Sequence, residues 1–234
     1  MSLFSRLLPR KPSLDANLLQ RLAAWHELPA PDLHAPLDQS RLVVVDVETS
    51  GLSLARDHLI AIGAIAIRGG EIQLNESLEI VLRQDDASSK DNILVHGIGG
   101  AAQTNGVPPA EGLLGFLEYL GKSPLIAFHV TFDETMIKRA MRQYLGLNFK
   151  NPWLDLAYAM PALHPELSNR HRSLDDWLNH FGIRNFARHT ALADAYATAQ
   201  LGLIALDKAH QRNIPHLHGL QKLEKAQRWV EQAH

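Results

Sequence analysis

The chain has 234 residues, with 23 lysines and arginines against 25 acids, a net charge of −2 and 46% hydrophobic residues. That length can bury a sizeable α/β core with extensions, but the charge gives no strong field for gripping a long duplex through many phosphates. No cysteine is present, which excludes disulfides, zinc-thiolate sites and thiol nucleophiles. No run of ~18 apolar residues marks a membrane helix. Met1 to Pro12 carries Arg6, Arg10 and Lys11 without the apolar stretch of a signal peptide. A soluble, cytoplasmic protein with no membrane association is expected.

Residues 1–40 read as an N-terminal helical extension and linker. Leu14, Leu18, Leu22 and Trp25 form one helical stripe behind Ser13 as a candidate N-cap, and Pro29, Pro31 and Pro36 mark extended chain. The main domain spans 41–206. Leu42 to Val45 is an apolar, mostly β-branched run that reads as a buried strand ending in a Ser-Gly turn. Residues 58–67 form a second strand, Gly69-Gly70 a hairpin turn, and 71–82 a third strand, antiparallel to its neighbours. The polar segment Asp85 to Asn92 is expected to be a mobile loop.

Helical spacing over 110–120, closed by Gly121, precedes a short buried strand, Leu125 to Phe128. The helix-then-strand order predicts that this fourth strand joins in parallel. Further helices are predicted over Phe132–Tyr144, over Ser173–Phe181 with Ser173 as cap and Gly182 as stop, and over the alanine-rich Thr190–Leu206. Residues 207–234 read as a C-terminal tail with a last helix over Leu217–Val230.

Asp46 and Glu48 close the first strand on one face, roughly 6.5 Å apart along it. Either the strand simply emerges into water there, or a hard divalent cation offsets the repulsion. Three more polar groups lie at element ends. Asp133 sits on the inward face where a helix opens, and as a lone residue reads as an N-cap. His189 and Asp194 frame the start of the alanine-rich helix, where small neighbours place Asp194 close to another backbone or a buried site.

Taken in order, Asp46-x-Glu48-Thr49-x-Gly51, Phe132-Asp133 and His189-x4-Asp194 resemble the DEDDh class of 3′-to-5′ exonucleases, the superfamily of the epsilon proofreading subunit of bacterial DNA polymerase III. His96-Gly97-Ile98 and Leu154-Asp155-Leu156 are similar to supporting segments of that family. Thr190 stands where the tyrosine-bearing sister class places its tyrosine.

The resemblance implies a ribonuclease-H-like fold: a mixed sheet of about five strands with helices on both faces. It implies two Mg²⁺ or Mn²⁺ ions held by Asp46, Glu48, Asp133 and Asp194, with His189 as general base. Thr49, Ser50, Gly51 and Leu52 would meet the 3′-terminal nucleotide, with His96, Phe128, His129 and Phe132 as further substrate contacts. Phe128 and His129 depart from the family's usual His-Asn, and Ala61 from a common Glu.

The expected reaction is stepwise removal of nucleotides from a 3′ end, of single-stranded DNA or alternatively of RNA. A binding module that keeps the fold without catalysis is the other reading. A polymerase or another protein could dock through the extensions. The tail is short beside that of epsilon subunits, which favours a stand-alone or loosely recruited enzyme.

Overall fold

The computed structural model describes residues 12–168 and 170–232. The basic residues Arg6, Arg10 and Lys11 lie outside them. Helix α1 (Ala16–His26) is capped by Asp15, whose Oδ1 accepts from the Leu18 N–H at 2.8 Å. The cap is therefore Asp15 and not Ser13: a side-chain acceptor at the N-cap must reach the N–H three residues on, and the helix starts at Ala16. Leu18, Leu22 and Trp25 are buried. Arg21 bonds Glu111 and Glu118, which clamps α1 onto α4 (Pro109–Leu120).

Five strands form one mixed sheet: β1 (Leu42–Thr49), β2 (Leu59–Arg68), β3 (Glu71–Val81), β4 (Leu125–Ala127) and β5 (Trp153–Asp155), in the order β3-β2-β1-β4-β5. The first three pair antiparallel, and β4 and β5 add in parallel. Strand β1 is central and buried on both faces, which accounts for its unbroken apolar run. Val43, Val45 and Val47 face α1, α4 and α5 (Val130–Ala140). Leu42 and Val44 face α6 (Leu156–Leu163), α7 (Leu174–His180), α8 (Ala191–Gln211) and α9 (Leu217–Gln232).

The sequence reading and the structure differ at several element ends. The segment expected to be a mobile loop is partly helical. Ser89 accepts from Asn92 N–H and starts α2 (Lys90–His96), followed by α3 (Gly100–Thr104). Strand β4 stops at Ala127, and α5 opens at Val130, two residues before Phe132. It ends at Ala140 in one wider turn, Met141–Leu145, closed by left-handed Gly146. Helix α8 begins after Thr190 and runs on to Gln211. Strand β5 and α6 have no periodic signal: the strand is three residues long, and α6 contains Pro161.

Candidate active site

The parity of β1 aims Asp46 and Glu48 at the same face as Leu42 and Val44, the face on which α8 begins. Asp46 pairs with Gly63 of β2. A Cβ on Gly63 would lie 2.1 Å from the Ala191 carbonyl carbon and 2.2 Å from the Leu192 nitrogen. The missing side chain lets the first turn of α8 rest on the strand, and Asp194 arrives beside the two strand acids. One carboxylate oxygen each from Asp46, Glu48 and Asp194 lies within 4.8 Å of the others.

Asp133 comes from the opposite layer, on the first turn of α5, and is 5% exposed. Burial and then the charges of Asp133, Asp194 and Glu48 push the Asp46 carboxyl well above the usual range, with Arg188 opposing. Burial and Asp194 push Glu48 up to about 8. Asp133 is pushed up to about 8, chiefly by burial, while the backbone N–H groups of Asp133 and Val47 pull it down. Oxygen donors alone, desolvated and mutually repelling, fit a hard divalent cation such as Mg²⁺ or Mn²⁺.

Asp194 also organises the preceding loop. Its Oδ1 accepts from Arg188 Nη1 at 2.6 Å and from the Asn185 amide, and its Oδ2 accepts from the His189 N–H at 2.8 Å. Arg188 continues to Asp175 of α7 at 3.1 Å. His189 has φ 64° and lies in an exposed turn. Its backbone is tied to Asp194, and its ring makes no hydrogen bond among the described residues.

The other expected contacts divide. Thr49 is buried and donates from Oγ1 to the Gly51 carbonyl, and Ser50 donates to Asp57. Their side chains are thus spent in holding the turn. A Cβ on Gly51 would meet the Asp57 carboxylate at 2.6 Å. Leu52 projects from this turn, 87% exposed. Phe128 and Phe132 are half-buried against the two cores, and His129 is exposed. His96 is 1% exposed, with Nδ1 accepting from the Ile98 N–H, so it anchors its own loop.

His129 caps α5 with a left-handed backbone (φ 64°). Asn, Asp and His enter that region far more readily than most residues, so a histidine can stand where the resembling family carries asparagine. The N–H groups of His129 and Val130 both donate to Asp155, which also accepts from Ala157 and Arg228.

Sequence reasoning did not single out Gly63, Asn185, Arg188 or Asp155 for these roles. A lone glycine inside an apolar strand marks close backbone approach, so Gly63 was readable. The loop contacts follow no spacing rule.

A family model described as "Exonuclease" (RNase_T) matches residues 43–201. The chain is 30% identical over 182 residues to the PolC-type DNA polymerase III of Thermotoga maritima, covering 78% of this chain and 13% of the relative. It is 31% identical over 182 residues to that of Bacillus subtilis, covering 77% and 12%. A DNA polymerase III subunit epsilon-like protein of Rhodobacter capsulatus is 30% identical over 182 residues, covering 76% and 25%. The chain thus spans a quarter or less of these relatives. Among solved structures, E. coli Exonuclease I in complex with a dT13 oligonucleotide superposes with a TM-score of 0.61 at 20% identity, over 74% of this chain and 42% of that one. Exonuclease X in complex with 5′ overhanging duplex DNA gives 0.58 at 18%, over 78% and 99%. Both share this fold.

Proposed function

We propose, from the premise that this chain belongs to the exonuclease family within the DEDD 3′-to-5′ superfamily, that it removes nucleotides from the 3′ end of single-stranded DNA. The observation that carries this reading is the convergence of Asp46, Glu48 and Asp194 within 4.8 Å at the mouth of β1. The DNA polymerase names of the relatives favour DNA over RNA.

Asp46, Glu48 and Asp194 would hold one Mg²⁺ or Mn²⁺, and Asp46 with Asp133 a second. Such a pair, when bound, supplies charge stabilisation for the attacking and leaving oxygens and a lowered pKa for water. The chain's own groups do the rest. Leu52 packs on the terminal base, and the backbone of the Thr49–Gly51 turn meets the terminal hydroxyl. His189 takes the proton from the attacking water at a ring nitrogen that makes no hydrogen bond among the described residues. Water adds to phosphorus and the P–O3′ bond breaks. O3′ stays on the shortened strand and takes a proton from solvent as the new 3′-hydroxyl, and a nucleoside 5′-monophosphate leaves. A polymerase or other partner would meet the outer faces of α1 and α9, where Leu19 and Trp229 are exposed.

Matched 3′- and 5′-labelled single strands of DNA and RNA, incubated with Mg²⁺, Mn²⁺ or EDTA, test the reading. Metal-dependent stepwise loss from the 3′ end is expected, faster on DNA. Failure of well-folded protein to shorten either strand would reduce it to a binding module, and faster loss of RNA would reassign the substrate.

A further inference from the structure

A cavity of about 490 Å³ lies beside the loop that carries His189, between that loop and α7. Its size is within the roughly 300–1,000 Å³ of small-ligand sites. The floor is apolar, made by buried Leu178 and half-buried Ile183. Asn179, Arg184 and Arg188 supply polar walls, and Phe186 lines it with 89% of its surface in water. Arg188 is committed to Asp175 and Asp194, which also neutralises the one acid of the cavity. Arg184 has no ion-pair partner among the described residues.

A single exposed phenylalanine is ordinary on a protein surface. Here the phenyl face comes with an unpaired guanidinium and a free amide, the three groups that meet a base face, a phosphate and a base edge. The cavity adjoins the acidic centre: Arg188 and Asn185, which both line it, donate to Asp194.

We propose that this cavity is a second nucleotide subsite. Phe186 stacks on a base of the strand flanking the nucleotide in the catalytic centre, and Arg184 pairs with its phosphate. The proposal rests on the exonuclease reading, and binding separates the two.

Affinity for fluorescent (dT)10 and (rA)10 is measured by anisotropy in EDTA, where no cleavage occurs. Phe186→Ala should bind about tenfold more weakly and Phe186→Tyr should stay near the parent, as stacking requires. Arg184→Gln should lower the slope of log K against log salt by about 0.7, one released counterion on a single strand. Equal losses for both strands fit stacking, and a loss on one alone names the source of the base. Parent-like affinity in Phe186→Ala, or no binding of either strand by the parent, overturns the subsite whether or not cleavage occurs. Lost binding in Phe186→Ala without cleavage by the parent keeps the subsite and removes the exonuclease reading.

Discussion

Gly63 and Ala191 are in direct backbone contact: any Cβ at Gly63 would overlap the Ala191 peptide at 2.1–2.3 Å. Gly63 is also the partner of Asp46 across the β1–β2 ladder. The same contact that seats α8 therefore sets the distance between Asp46 and Asp194.

Gly63→Ala should push the first turn of α8 away. Overpacking at a rigid backbone contact costs about 1–3 kcal/mol, and Mn²⁺ affinity should fall at least tenfold as the carboxylates separate. Gly115→Ala is the control. It lies inside α4 with nothing within 4 Å of an added Cβ and should be neutral or stabilising by about 0.5–1 kcal/mol. Calorimetric Mn²⁺ titration and thermal melts of both variants check this. Parent-like Mn²⁺ affinity in Gly63→Ala would show that the contact does not set the site.

The acidic centre predicts a stability that falls as pH rises in the absence of metal. Burial and like charge hold Asp46 above its ordinary range and Glu48 and Asp133 at about 8, against about 4 in an unfolded chain. Below about pH 4 both states carry these protons and no penalty exists. Between about 4 and 8 the unfolded chain has released them while the folded chain must hold them or bear the repulsion, so folding loses stability through that window. In EDTA the melting temperature should be several degrees lower at pH 8 than at pH 5, and Mn²⁺ should restore more at pH 8. A melting temperature that does not fall between pH 5 and 8 in EDTA would contradict this electrostatic account.

Asp46→Asn should separate function from stability. The amide removes one of the crowded charges at nearly constant volume, so the metal-free protein should melt higher while Mn²⁺ binding and cleavage are lost. His189→Ala should do the reverse: Mn²⁺ binding within about twofold of the parent, and a rate lower by about 10²–10⁴, the usual contribution of a general base. Its ring makes no hydrogen bond or ion pair with an acid among the described residues, and its backbone N–H donates to Asp194. Equal loss of metal binding and rate in His189→Ala would mark the histidine as structural.

Where the sequence carries a periodic or paired signal, the structure follows it. The apolar run of β1 foretold a central strand, and its i, i+2 acids foretold two carboxylates on one face. The small residues around Asp194 foretold a close approach, now seen at Gly63. What stayed hidden depends on contacts between distant segments. Strand β5 is three residues long and exists because β4 pairs with it. His96, expected to meet substrate, is buried because its ring nitrogen satisfies the N–H of Ile98. Arg188 reaches Asp194 and Asp175 across a loop whose shape no spacing rule describes.

Arg228, in the last helix, supports the site from a distance. It donates to Asp155 at 3.0 Å and stacks on Tyr158, with its guanidinium carbon 4.3 Å from the ring centroid. Asp155 is 2% exposed and accepts the N–H groups of His129 and Val130, the residues that open the helix bearing Asp133. Arg228→Met keeps most of the stacking volume but removes the charged donor from a buried carboxylate. The expected cost is about 2 kcal/mol, the scale of a hydrogen bond to a charged group, with a fall in rate as Asp133 loses its anchor. Arg228→Lys should recover part of the stability but less of the rate, since an ammonium cannot both reach Asp155 and lie flat on Tyr158. Denaturant melts and single-turnover rates on the two variants decide the matter. Stability lost with no change in rate would mean that α9 supports the fold without positioning Asp133.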